Sequence, residues 1–203
     1  MIKNSNKHTV KERFEHLLSV VSSKKFLKKQ GLGNEIPFFI CPYRAKESIE
    51  MERLQKQLVN KLSQAGIRVL EINLYDISVD ILKKNGDWEW YLNEETNMTK
   101  DELKEELQSI LDVETVLTPL IADKFKVNIF DVLFLSGVGE VFPYIRSHNV
   151  LNNLQSVAKD KPTVMFFPGG YTHTLESGAS LDLFNRLHDD KYYRAFNIYH
   201  YEI

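Results

Sequence analysis

Few positions in this 203-residue chain combine residue types that do chemistry, and each such set lacks a member. Lys46 and Ser48 stand where a phosphate-binding loop would place its lysine and its magnesium-binding hydroxyl. That loop needs glycines so that consecutive backbone N–H groups can wrap an anion, and the segment from Cys41 to Ser48 has none. Ser136-Gly137-Val138-Gly139-Glu140 carries two glycines of the dinucleotide fingerprint, but the third position, 142, is Phe. The pair suits a tight turn whose exposed backbone donors can receive an anion or a partner's carboxylate. No Gly-x-Ser-x-Gly elbow occurs, since Ser136 precedes its glycines. Cys41 lies in an apolar run with nothing to lower its pKa, which suits a core position better than a nucleophile. His148, His173, His188 and His200 are scattered, and His188-Asp189-Asp190 is a ligand pair without the further ligands a metal site takes. No catalytic, cofactor-binding or metal-binding residue is therefore expected. The alternative is a nucleotide-binding or hydrolytic enzyme with a non-standard site at Lys46 and Ser48, with Asp76 or Glu140 as a metal carboxylate.

Residues suited to contact with protein are more prominent. Tyr192, Tyr193 and Arg194 form the densest aromatic and charged block, and such side chains make good interface anchors. Packing at the sheet edge is an equal alternative for them, and the same choice applies to Arg146. Pro168 and Gly169 follow an apolar strand, as Ser136, Gly137, Gly139 and Glu140 do.

Charge separates along the chain. The net charge of -2 hides a +6 balance over residues 1–29 and a -8 balance over residues 86–115, where ten acids meet two bases. A near-neutral total argues against a dedicated nucleic-acid binder. Solvated helix faces and a partner-binding surface both account for the two blocks, and DNA contact through the basic amino-terminal helix is a further alternative.

The elements that must position these residues read as alternating helices and strands. With 43% hydrophobic residues and no repeat or linker, one domain over residues 1–203 is expected. Thr9 and Glu12 make a capping box for a basic first helix within residues 1–30, and Thr99 with Glu102 makes another. Strands are expected at residues 36–41, 67–73, 130–135, 162–167 and 195–201. Helices are expected after Ser48 as N-cap, from Thr118-Pro119, from Pro143, and near residues 180–187. Residues 76–98 resist any period and read as a short helix with an irregular excursion. Such alternation predicts an α/β fold, a single three-layer domain with a mostly parallel sheet of about five strands between helices, P-loop or Rossmann-like without the phosphate-binding motif. The single Cys41, the absence of a signal-like start and the lack of a long apolar run lead to a cytoplasmic, membrane-free expectation.

Three blocks carry a resemblance: residues 134–154 (FLSGVGEVFPYIRSHNVLNNL), residues 161–170 (KPTVMFFPGG) and residues 183–196 (LFNRLHDDKYYRAF). Together they resemble the BrxB family, from about Phe14 to the end of the chain. The resemblance implies a part in BREX, a bacterial phage-defence system that marks host DNA by adenine methylation. It implies other BREX proteins as partners, first an alkaline-phosphatase-like PglZ protein, with DNA met only indirectly or weakly. The family has no established catalytic activity, so the resemblance implies a non-catalytic adaptor or assembly protein.

Overall fold

The computed structural model describes residues 9–30, 36–174, 178–188 and 195–203. Its strands are β1 (Phe38–Tyr43), β2 (Val69–Asn73), β3 (Val132–Ser136), β4 (Thr163–Thr174), β5 (Gly178–Leu183), β6 (Leu187–His188) and β7 (Ala195–Asn197). The parallel sheet has the order β2-β3-β4-β1-β7, and β5 and β6 extend antiparallel from the far half of β4. The fold is α/β with a mostly parallel sheet between helix layers, as the alternation predicts.

Side-chain alternation along β1 divides the core. Phe39 and Cys41 face α1 (Val10–Ser22) and α3 (Ser48–Gln64), where they meet Leu17, Val20, Leu54 and Leu58. Phe38 and Ile40 face the opposite layer of α4 (Leu74–Asn85), α7 (Thr118–Val127) and α8 (Ser147–Leu154). These β1 residues are fully buried, which is why the strand is apolar without a break. The connection leaving β1 through α3 covers one face, while α4 and α8 follow β2 and β3 on the other. That reversal puts a switch point between the neighbours β1 and β4, the place where an open α/β sheet offers a crevice to a ligand.

Both expected capping boxes form, at Thr9 with Glu12 and at Thr99 with Glu102. Gly66 takes the left-handed conformation (φ 79°) just beyond α3, as its place after the apolar stripe predicts.

Several expectations are corrected. Residues 76–98 are mostly helical: Asn73 caps α4, Gly86 ends it, and α5 (Trp88–Glu94) follows with Tyr91 buried. The mixture of acids and aromatics there hides the period because α5 buries so little of itself. Ser48 is not a cap, because a 3-10 turn (Ala45–Glu47) precedes α3 and Ser48 begins the helix. The helix expected from Thr118-Pro119 forms as α7 with Pro119 in its first turn, but Thr118 is not its cap, because a π-helical turn (Val113–Leu117) capped by Asp112 runs straight into it. The helix expected from Pro143 starts at Ser147, because residues 141–145 form turns.

The fourth strand does not stop at Pro168. It continues to Thr174 and pairs with β5, which stands where a helix near residues 180–187 is expected. Ala179, Leu181 and Leu183 are buried while Ser180 and Asp182 are less so, a period of two that a short helical reading overlooks. The last strand is short, and Asn197 caps a 3-10 turn (Ile198–His200) instead of extending it. Tyr171 Oη donates to the Ala195 carbonyl at 2.6 Å and ties the β4–β5 arm to β7.

Leu181 has no exposed surface in this arm. Leu181→Ala is expected to cost about 3 kcal/mol, read as a lower urea midpoint with an unchanged m-value. A loss below about 1 kcal/mol would be too small for a core strand position.

Candidate functional site

The loop after β1 is held by a buried charge cluster. Glu47 Oε2 accepts from Arg13 Nη1 at 2.8 Å and its Oε1 accepts from Arg44 Nε at 2.8 Å. Arg13 is 2% exposed and Glu47 9%, so an ion pair joins α1 to the loop with almost no water around it. Burial alone would raise the Glu47 carboxyl, but the hydrogen bonds and charges of Arg13 and Arg44 outweigh it and hold it below the ordinary carboxylate range. Ser48 Oγ donates to the Ala45 carbonyl at 2.6 Å, while Lys46 points to solvent. Lys46 and Ser48 thus sit in a tightened turn.

The loop after β3 closes a second opening. Asn73 and Ser136 pair in register at the ends of β2 and β3. Asn73 Oδ1 accepts from the backbone N–H groups of Tyr75 at 2.9 Å and Asp76 at 3.4 Å, capping α4. Gly137 (φ 76°) lies on that cap. A Cβ there would overlap Asn73 Oδ1 and come within 2.9 Å of the Leu74 and Tyr75 nitrogens. The start of α4 is therefore covered by the chain's own backbone and cap, and only glycine permits the approach. A Cβ on Gly139 would lie 3.0 Å from Pro168 Cγ and 3.1 Å from Phe184 Cε1. One on Gly169 would overlap the Asp182 carbonyl oxygen, so this glycine permits the close β4–β5 pairing.

Side chains form a rim around these seals. Burial raises the Tyr43 phenol above its ordinary range and the charge of nearby Glu140 adds to the shift, while a Ser48 hydrogen bond opposes it. Tyr144 is raised by burial, with Tyr75 and Glu140 contributing. Tyr144 Oη donates to the Glu140 carbonyl at 3.2 Å, and Gln108 Nε2 donates to the Pro143 carbonyl at 3.4 Å from α6 (Lys100–Ile110). Glu140 and Arg146 are exposed, and Tyr75 is 43% exposed. Partly open phenols beside exposed carboxylates, Glu140 and Asp76, suit contact with cationic or hydrogen-bonding groups of a protein.

The structure brings Ser136, Gly137, Gly139, Glu140, Pro168 and Gly169 to one edge, together with Lys46 and Ser48. Arg146 precedes α8 at the same edge, as its extended N-cap residue. Tyr192, Tyr193 and Arg194, with Asp189 and Asp190, lie outside the described residues. Among the described residues no group of three or more His, Cys, Asp or Glu could hold a metal ion. Cys41 is wholly buried, 3.4 Å from Tyr199 Oη, and burial pushes its thiol up to about 12, which suits the core role. Sequence reasoning missed Arg13, Glu47, Tyr43, Tyr75, Tyr144 and Phe184. The only signal for Arg13 is a charged residue beside the apolar stripe of α1, and Phe184 is unusual only in its backbone (φ 56°).

Fold and edge together define an open α/β domain in which a buried ion pair holds the loop after β1 and the chain's own cap and turn cover the start of α4. Comparison then gives the family: the model described as BREX protein BrxB matches residues 70–198. A protein of that name from Bacillus cereus (strain H3081.97) is 33% identical over 193 residues, covering 93% of this chain and 97% of the relative. Another from Escherichia coli O9:H4 (strain HS) is 30% identical over 186 residues, covering 92% and 90%. No solved structure matches the chain. The chain belongs to the BrxB family, as the resemblance implies.

Removing one partner of the buried pair leaves the other charge stranded, so Glu47→Gln is expected to destabilise the protein by about 2–4 kcal/mol at pH 7. Because the folded-state pKa is depressed, the Glu47 contribution is complete above the unfolded value of about 4.3 and is lost as pH falls through the folded value. Urea midpoints should therefore separate wild type from Glu47→Gln at pH 7 and converge towards pH 3. A constant separation would contradict the pairing.

Proposed function

We propose that this protein is a non-catalytic assembly subunit of a BREX phage-defence complex, and that it meets a PglZ-like protein through the carboxyl edge of its sheet. One observation carries the reading. The loop after β1, beside the switch point, is held by the Glu47 cluster, and the start of α4, at the ends of β2 and β3, is covered by Asn73 and Gly137, while Tyr43, Tyr75, Glu140, Tyr144 and Arg146 remain partly open around them. The names of the relatives support membership of BREX. In this reading the chain acts as one domain in the cytoplasm and meets DNA only through its partners. No described helix is long and apolar enough to cross a membrane. The seals matter because they keep the edge in one shape, so that a partner binds a preformed surface with little ordering cost.

The test is a tagged pull-down from cells that express the neighbouring defence genes, read by mass spectrometry. The PglZ-like protein should co-purify with the wild type and be depleted at least about tenfold with a Glu140→Arg, Tyr144→Ala double variant that keeps the wild-type melting temperature. Magnesium-ATP should leave that melting temperature unchanged. Recovery of no other defence protein, equal recovery with the variant, or a stabilisation by ATP that Lys46→Ala abolishes would overturn the reading.

A further inference from the structure

Two further faces leave apolar side chains open to solvent, and their charges are opposite. The first lies at the amino ends of β3 and β4, the edge opposite the rim described above. There Phe125, Ile129, Phe130 and Val157 line an open groove of about 390 Å³, flanked by Lys161, by Lys126, which pairs with Asp123 at 2.8 Å, and by Asp160. Val127 and Ile129 are 79% and 78% exposed, unusual for β-branched apolar residues. Lys29, just beyond α2 (Lys24–Leu27), donates to the Lys159 carbonyl at 3.3 Å, so exposed Lys24 and Lys28 extend the same basic side.

The second face is formed by α5 and α6. Trp90 and Leu92 are each half exposed, and no α6 residue is fully buried, Leu107 and Ile110 lying partly buried against the core. It carries most of the acidic excess of residues 86–115. The hydrogen bond from Gln108 to the Pro143 carbonyl fixes α6 near the carboxyl side of β3, away from the groove.

We infer that the occupant of the basic apolar groove is the acidic α5–α6 face of a second copy of this chain. Each face offers what the other lacks: an apolar groove with lysines for one, a half-exposed Trp among carboxylates for the other. A phosphate backbone would match the lysines but gain nothing from Val127 and Ile129, which favours a protein occupant. Trp is also the side chain most able to anchor such a contact. Because the faces differ and lie towards opposite edges, the contact is head-to-tail, and unlike a two-fold dimer it leaves one free face of each kind at the ends. Although Gln108 ties α6 to the Pro143 carbonyl beside Tyr144, Trp90 and Ile129 are not rim residues, so failure of these variants leaves the proposed PglZ contact standing, and the reverse holds too.

Sedimentation velocity of the full chain across a concentration series tests this. Reversible association is expected, weakened at least about tenfold between 50 mM and 500 mM NaCl because opposite charges are screened. Trp90→Ala and Ile129→Asp, both at exposed positions, should each yield monomers with wild-type melting temperatures. An equimolar mixture of the two variants should form dimers and nothing larger, since each retains the face the other has lost. A monomeric wild type, association insensitive to both variants, or a mixture that stays monomeric would overturn the inference.

Discussion

The placement of the first helix against β1 depends on one buried ion pair. Arg13 leaves water to meet Glu47, and Glu47 in turn fixes Arg44 and the turn before α3. Isolated in an apolar interior, either charge would be very costly, so the two must be buried together or not at all. The pair therefore sets the position of α1 over Phe39 and Cys41 and the conformation of the loop at the switch point. Burial pushes the nearby Tyr199 phenol well above its ordinary range, so the polar core here is one cation with its carboxylate among neutral groups.

From that constraint the character of the edge follows. A loop cinched by Glu47 cannot also present a row of free N–H groups to a phosphate, and Ser48 has turned its hydroxyl back to Ala45. Across the sheet Gly137 presses on the cap of α4, so the other natural anion site is closed by the protein itself. Among the described residues, the rim of tyrosines with Glu140 and Arg146 stays accessible at this edge.

Much of the framework was legible because burial leaves periodic marks. The unbroken apolar strands β1 and β3 and the two capping boxes depend on local rules, and the structure keeps them. The β4–β5 arm was not legible, because Pro168-Gly169-Gly170 has the composition of a turn. Its strand character depends on Gly169 letting the Asp182 carbonyl come close, a tertiary reason absent from the local sequence. The tight turn at the glycine pair could be read from sequence, and Gly137 has the positive φ it needs, but the packing of Gly137 on Asn73 and of Gly139 on Pro168 could not. Arg13 and Glu47 stand 34 positions apart and follow no spacing rule, so their pairing emerges only in three dimensions.

The central claim is that the carboxyl edge is a closed, preformed contact surface. Hydrogen exchange by mass spectrometry, on the protein alone, with magnesium-ATP and with the PglZ-like protein, tests it most directly. The account predicts new protection at residues 43–48, 73–76 and 137–146 with the protein partner and none with the nucleotide. Protection of residues 43–48 by nucleotide, or a partner footprint that leaves this edge unprotected, would contradict it.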